Sequence, residues 1–142
     1  MRLLSTKIVS SHFKDELIKI GISIIEYPII KIDPIHIKID HVRSILIFTS
    51  QNAVKIVFES GEIVKKIKNK NCFCVGQKTK LLLNKKGINV IKMFESAADL
   101  ARFLVKNHKK DSFSFFCGQQ RRSEIETSLN KCKMDLDIHE VY

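Results

Sequence analysis

With 142 residues the chain is long enough for one ordinary domain and too short for two full ones. Its 44% hydrophobic and 28% charged residues are those of a soluble globular protein, and no apolar run approaches the ~20 residues that a membrane span requires. The net charge of +10 admits an anionic partner, but Lys outnumbers Arg 20 to 5 and is spread along the whole length, so neither a nucleic acid nor a membrane is expected as partner.

The start "MRLLSTKIVSSH" has no sustained apolar core and no small-residue cleavage site, so no signal peptide is read and the cytosol is the expected compartment. Residues 2–9 read as a strand, 10–21 as a helix closed by Gly21, and 22–30 as a second strand with Pro28 near its end. Residues 31–44 alternate apolar and polar around Pro34 and suit an exposed ribbon or linker. A domain boundary is placed there, dividing the chain into residues 1–32 and 33–142.

The second part is more regular. "ILIFTS" (45–50) is an apolar strand that opens into polar residues, and 51–60 is helical, with Gly61 expected to end or kink it. Strands over 72–76, 88–93, 112–117 and 134–142 alternate with helices over 77–87, 96–108 and 123–131. Ser96 and Asp99 form a weak capping box. Near-continuous apolar strands separated by helices predict an α/β fold with a parallel sheet covered on both faces, a flavodoxin-like three-layer lobe.

Four cysteines stand at 72, 74, 117 and 132. No CxxC pair or nearby histidine completes a tetrahedral metal site, and buried thiols in a reducing compartment are expected.

The strands leave the sheet through similar turns. "FTSQN" (48–52), "VGQKT" (75–79), "FESAAD" (94–99) and "CGQQRRS" (117–123) each lie between a strand and a helix. In a parallel sheet these turns share the carboxyl edge, where ligands of open α/β sheets bind. Unpaired N–H groups at helix starts suit carboxylates or phosphates. Ser50, Asn52, Gly76, Thr79 and Gly118 recur at these junctions, and Arg121 or Arg122 can add a fork for a carboxylate. Each loop taken singly reads as an ordinary cap or turn. No GxGxxG, Walker or GxSxG pattern is present, which argues against dinucleotide, nucleotide-hydrolysis and serine-esterase chemistry. No acidic cluster at the strand ends supports a receiver-type signalling domain.

Several phrases in order resemble the uroporphyrinogen-III synthase family: "ILIFTSQNAV" (45–54), "CVGQKT" (74–79), "AADLARFL" (97–104), "FFCGQQRRSEI" (115–125) and the final "VY" (141–142). "LLSTK" (3–7) corresponds to a Thr-Arg start, with Lys7 in place of Arg. The resemblance implies two α/β lobes joined by a linker, the first lobe discontinuous. Residues 1–32 would begin lobe one and 33–142 would form lobe two with linker strands at both ends. The remainder of lobe one would be missing, the sequence stopping at Tyr142 in a strand pattern.

It further implies a lyase of tetrapyrrole and haem biosynthesis. Such an enzyme cyclises hydroxymethylbilane, an octacarboxylate, to uroporphyrinogen III, with inversion of the last ring and loss of water and without metal or organic cofactor. By the same resemblance Thr6, Lys7, Thr49 and Arg122 join the substrate-binding set, and Tyr142 is the candidate catalytic group. A monomer is expected, with its activity belonging to a longer parent chain. The alternative is a non-catalytic α/β anion-binding module.

Overall fold

The computed structural model describes residues 1–142, which divide into two compact units, Met1–Asp33 and Pro34–Tyr142. No helix is long and apolar enough to cross a membrane.

The first unit is β1 (Arg2–Ser5), α1 (Ser11–Lys19) and β2 (Ser23–Glu26), with β1 and β2 paired in parallel. Both strands are shorter than the sequence predicts. Ser5 Oγ donates to the Lys7 carbonyl at 2.6 Å and turns the chain out of β1. Pro28, which has no N–H for a ladder, follows β2 closely. Ser10 caps α1 by accepting the Phe13 N–H, and Gly21 (φ +73°) follows its end.

The second unit holds one five-stranded parallel sheet. In chain order its elements are β3 (Ile45–Phe48), α2 (Gln51–Glu59), α3 (Gly61–Ile67), β4 (Asn71–Val75), α4 (Gln77–Lys85), β5 (Asn89–Phe94), α5 (Ala97–Asn107), β6 (Ser112–Cys117), α6 (Glu124–Lys131) and β7 (Asp135–Glu140). Helix α3 was not anticipated. Gly61 does not merely end a helix but opens one, because Ser60 leaves helical geometry (ψ 103°) and its side chain accepts the Ile63 N–H.

The sheet order is β5-β4-β3-β6-β7. Counted from β3 this is 3-2-1-4-5, so the order in which strands are added reverses between β3 and β6. The side-chain period of two sends Leu46, Phe48, Cys72, Cys74 and Phe116 to one face, under α2, α3 and α4. Ile47, Phe73, Phe113, Phe115 and Cys117 go to the other, under α5 and α6. The result is three layers, with the three inner strands β4, β3 and β6 buried on both faces. Phe48 and Phe116, neighbours in the β3–β6 register, stack with centroids 5.0 Å apart. Burying each such ring contributes ~1.5–3 kcal/mol, so the core is centred on the point where the topology reverses.

Residues 31–44 contain no helix or strand. From Pro34 on they are nevertheless fastened to the second unit. Ile35 N–H donates to the Val141 carbonyl at 2.8 Å, Ile39 is buried, and Lys66 donates to the Ile39 carbonyl. Arg43 takes Asp137 in a fork (2.6 and 3.2 Å), and its backbone N–H donates to Ser114 Oγ at 3.0 Å.

Candidate functional site

In a doubly wound sheet, crevices open at the carboxyl edge where strand order reverses. Here that place lies between the turn after β3 and the turn after β6, and Tyr142 occupies it. Its hydroxyl donates to Ser50 Oγ at 2.8 Å, in the β3 turn. Its carbonyl accepts the Gln119 N–H at 2.8 Å, in the β6 turn. Its ring lies on Gly118, where a Cβ would stand 2.6 Å from Cε2. Glycine is required at 118 by this close approach rather than by its backbone angles.

Two clefts open beside the phenol and share Thr49, Ser50 and Val75. The first, of about 530 Å³, lies at the start of α4 and collects Thr49, Ser50, Asn52, Gly76, Lys78 and Thr79. The second, of about 430 Å³, lies toward α5 and α6, with Ser96, Arg121, Arg122, Glu124 and Tyr142 on its walls.

The four helix starts on this edge are not equivalent. Ser50 caps α2 through the Asn52 N–H at 3.1 Å, and Ser96 caps α5 through the Asp99 N–H at 3.1 Å. Asp99 returns the contact through its side chain, accepting from Ser96 Oγ at 2.7 Å, and the backbone N–H of Ser96 takes no part, so the capping box is incomplete. At each of these two starts the serine satisfies one backbone N–H. The starts of α4 and α6 have no side-chain cap, and the N–H groups of Gln77, Lys78 and Thr79 have no acceptor within the chain.

Thr79 is 4% exposed, lines the first cleft, and its hydroxyl makes no hydrogen bond within the protein. Lys78 is exposed, forms no ion pair, and is the one cation on that wall. No carboxylate stands there. Free N–H donors, a hydroxyl and an ammonium group thus face one cleft at the positive end of a helix dipole.

Several expected residues act differently in detail. The Gly76 N–H is not free, since it donates to the Phe94 carbonyl at 2.9 Å. Its φ of +87° gives Gly76 a shaping role instead. Ser50 Oγ accepts from both Asn52 and Tyr142, so its own proton remains to be donated into the cleft. Thr6 and Lys7 lie in the first unit, exposed, just beyond β1, and are not among the residues lining the two clefts.

The two arginines divide sharply. Arg122 is exposed and unpaired on the wall of the second cleft. Arg121 is largely buried and held by the carboxylates of Glu126 and Glu140, whose hydrogen bonds push its guanidinium pKa above the ordinary value. Sequence reasoning did not single out Lys78, although it stands in the quoted "VGQKT". Its sign and its place in the first turn of a capless helix were the available signal.

A family model described as uroporphyrinogen-III synthase HemD matches residues 11–142. No curated protein matches the chain. Among solved structures, uroporphyrinogen-III synthetase from Helicobacter pylori superposes with a TM-score of 0.67 at 16% identity, covering 99% of this chain and 61% of that one. Uroporphyrinogen III synthase from Thermus thermophilus superposes with a TM-score of 0.62 at 12% identity in a mutant form, again covering 99% and 61%. The wild-type form gives 0.58 at 11%, covering 100% and 61%. At these identities the likeness is one of fold, and the chain spans 61% of the length of each structure.

Proposed function

Because the chain belongs to the uroporphyrinogen-III synthase family, we propose that it serves the cyclisation of hydroxymethylbilane to uroporphyrinogen III, with inversion of the last pyrrole ring and release of one water. The observation that carries this reading is the first cleft. Uncapped N–H groups of α4, the unpartnered Thr79 hydroxyl and Lys78 converge there with no opposing carboxylate. Such a set holds an anionic carboxylate by many modest donors and offers no strong base.

In this reading Thr49, Ser50, Asn52, Thr79 and Lys78 receive carboxylates at the first cleft, and Arg122 at the second. Gly76 and Gly118 shape the edge. Thr6 and Lys7 would add to the set from the end of β1. Tyr142 stands between the clefts with its O–H donated to Ser50 Oγ, so a proton for a departing hydroxyl can pass from the phenol through Ser50. Loss of that hydroxyl as water leaves an azafulvene-like cation, and ring closure then depends on how the flexible bilane is held. The residues proposed here supply binding, orientation and one proton donor.

A second reading is a non-catalytic anion-binding module. It is favoured by the placement of both uncapped helix starts within Pro34–Tyr142, so that anion binding needs nothing from the first unit.

Both readings are tested by titrating uroporphyrin, a stable octacarboxylate, against the chain and its Gly76→Val variant. Valine at φ +87° distorts the turn that presents the α4 start. Affinity should fall about tenfold, in keeping with the loss of one charge-assisted contact. Equal affinities would remove this edge as the site.

A further inference from the structure

We propose that Arg121 is a positioning residue for Tyr142, an inference that rests on the cyclisation reading. The sequence offers two adjacent arginines in one turn, and only one of them faces the cleft unpaired. The other is built into the support of the phenol.

The Arg121 side chain is 17% exposed and reaches acceptors on three elements. Its Nε donates to the Glu126 carboxylate on α6. Its Nη1 lies 2.7 Å from Glu140 Oε1 at the end of β7, 2.9 Å from the Gly118 carbonyl and 3.4 Å from the Gln119 carbonyl. The same two turn residues carry Tyr142 on their other side. Gln119 donates its N–H to the Tyr142 carbonyl, and Gly118 seats the ring. Val141 N–H donates to the Cys117 carbonyl at 2.9 Å, fixing the backbone just before the tyrosine. One guanidinium therefore ties α6, β7 and the β6 turn into a frame that holds Tyr142.

Charge accounting supports the same role. Two carboxylates surround Arg121, so the cluster is anionic overall and offers no net attraction to a carboxylate ligand. The planar fork is what satisfies this set, and a lysine with one point charge cannot reproduce it.

The chain contains no tryptophan and two tyrosines, of which Tyr27 is 68% exposed in the first unit. In a Tyr27→Phe background, Tyr142 becomes the single intrinsic fluorophore. Its anisotropy, the amide hydrogen exchange of Gln119 and uroporphyrin affinity are compared in that chain with Arg121→Gln, Arg121→Lys and Arg122→Gln added singly. Arg121→Gln should speed Gln119 exchange by about tenfold while leaving Phe73 in β4 unchanged, as a local opening does. It should also lower the Tyr142 anisotropy and keep uroporphyrin affinity within about twofold, since no ligand contact is lost. Arg121→Lys should lie nearer to Arg121→Gln than to the parent. Arg122→Gln should show the opposite pattern, with weaker uroporphyrin binding and unchanged exchange.

If Arg121→Gln weakens uroporphyrin binding as much as Arg122→Gln and leaves Gln119 exchange alone, Arg121 is a ligand and the proposal falls. Exchange that rises equally at Gln119 and Phe73 would reduce Arg121 to a general stabiliser and also overturn it. A parent chain that binds no uroporphyrin refutes the polycarboxylate reading, while anisotropy and exchange still decide the frame.

Discussion

Gly118 is the seat of the Tyr142 ring: a Cβ there would stand 2.6 Å from Cε2 and 2.8 Å from Cζ, distances that side chains do not adopt. Alanine at 118 must therefore shift the phenol, which strains its 2.8 Å bond to Ser50. Gly118→Ala should destabilise the chain by ~1–3 kcal/mol, the usual range for forced overpacking. The same change on a Tyr142→Ala background meets no ring and should cost a small fraction of that, which a double-mutant cycle in urea reads directly. An equal cost in both backgrounds would show that the strain lies elsewhere.

The alternation of apolar strands and capped helices made the parallel layers legible from the residues, because both signals are local. "ILIF", "CFCV" and "FSFF" read as strands buried on both faces because they are short, apolar and bounded by turn residues. What escaped was decided by side chains. Gly61 reads as a stop, yet Ser60 turns it into a start by capping α3. The early end of β1 follows from one Ser5 hydrogen bond. The distinction between Arg121 and Arg122 depends on Glu126 and Glu140, the second 19 residues away, and no spacing rule joins them. Capped and uncapped helix starts look alike as strings of Ser, Gly, Gln and Thr. Whether Ser50 spends its oxygen on its own helix is a matter of geometry.

The four thiols should differ widely in reactivity. Burial pushes Cys74 up to about 11, Cys117 up to about 12, and Cys72 well above the ordinary range. The attacking species is the thiolate, so all three should be inert near neutral pH. Cys132 is exposed. A disulfide reagent added to the native chain should titrate one thiol rapidly and the other three only on unfolding. Rapid reaction of a second thiol would contradict the closed core described above.

His139 gives stability a dependence on pH. Burial holds its imidazole below the ordinary value, the neighbouring Asp137 carboxylate opposes that shift, and His41 adds to it. Its Nε2 lies 3.2 Å from Ser114 Oγ. Below about pH 6.5 the unfolded chain binds a proton that the folded chain resists, so stability drops as pH falls from there through the lowered folded value. Asp137, held low by Arg43, contributes only in the more acidic range, where its stabilisation is lost as the carboxylate protonates. Urea midpoints compared at about pH 7.5 and about pH 5.5 should therefore fall for the wild type and change less for His139→Asn. Identical slopes would remove His139 as the responsible group.

Tyr142→Phe separates holding the substrate from transforming it. Phenylalanine keeps the ring on Gly118 and the backbone bond to Gln119, and loses only the hydroxyl that reaches Ser50. Uroporphyrin affinity should stay near that of the wild type, because the proposed carboxylate donors lie on α4 and at Arg122. If the phenol supplies the proton for the departing hydroxyl, formation of the type III isomer should slow by about 10²–10⁴-fold, the range for a positioned general acid. The assay generates hydroxymethylbilane in place and separates the cyclised isomers, spontaneous closure giving type I. A Tyr142→Phe chain that makes type III at the wild-type rate would show that the phenol is not the donor. A wild-type chain giving type I alone would show that these 142 residues do not direct the cyclisation by themselves, and the Gly76→Val titration would then decide whether the edge is an anion-binding module. Only unchanged affinity with a lost type III product places the phenol in the chemistry and leaves the clefts as the holders of the carboxylates.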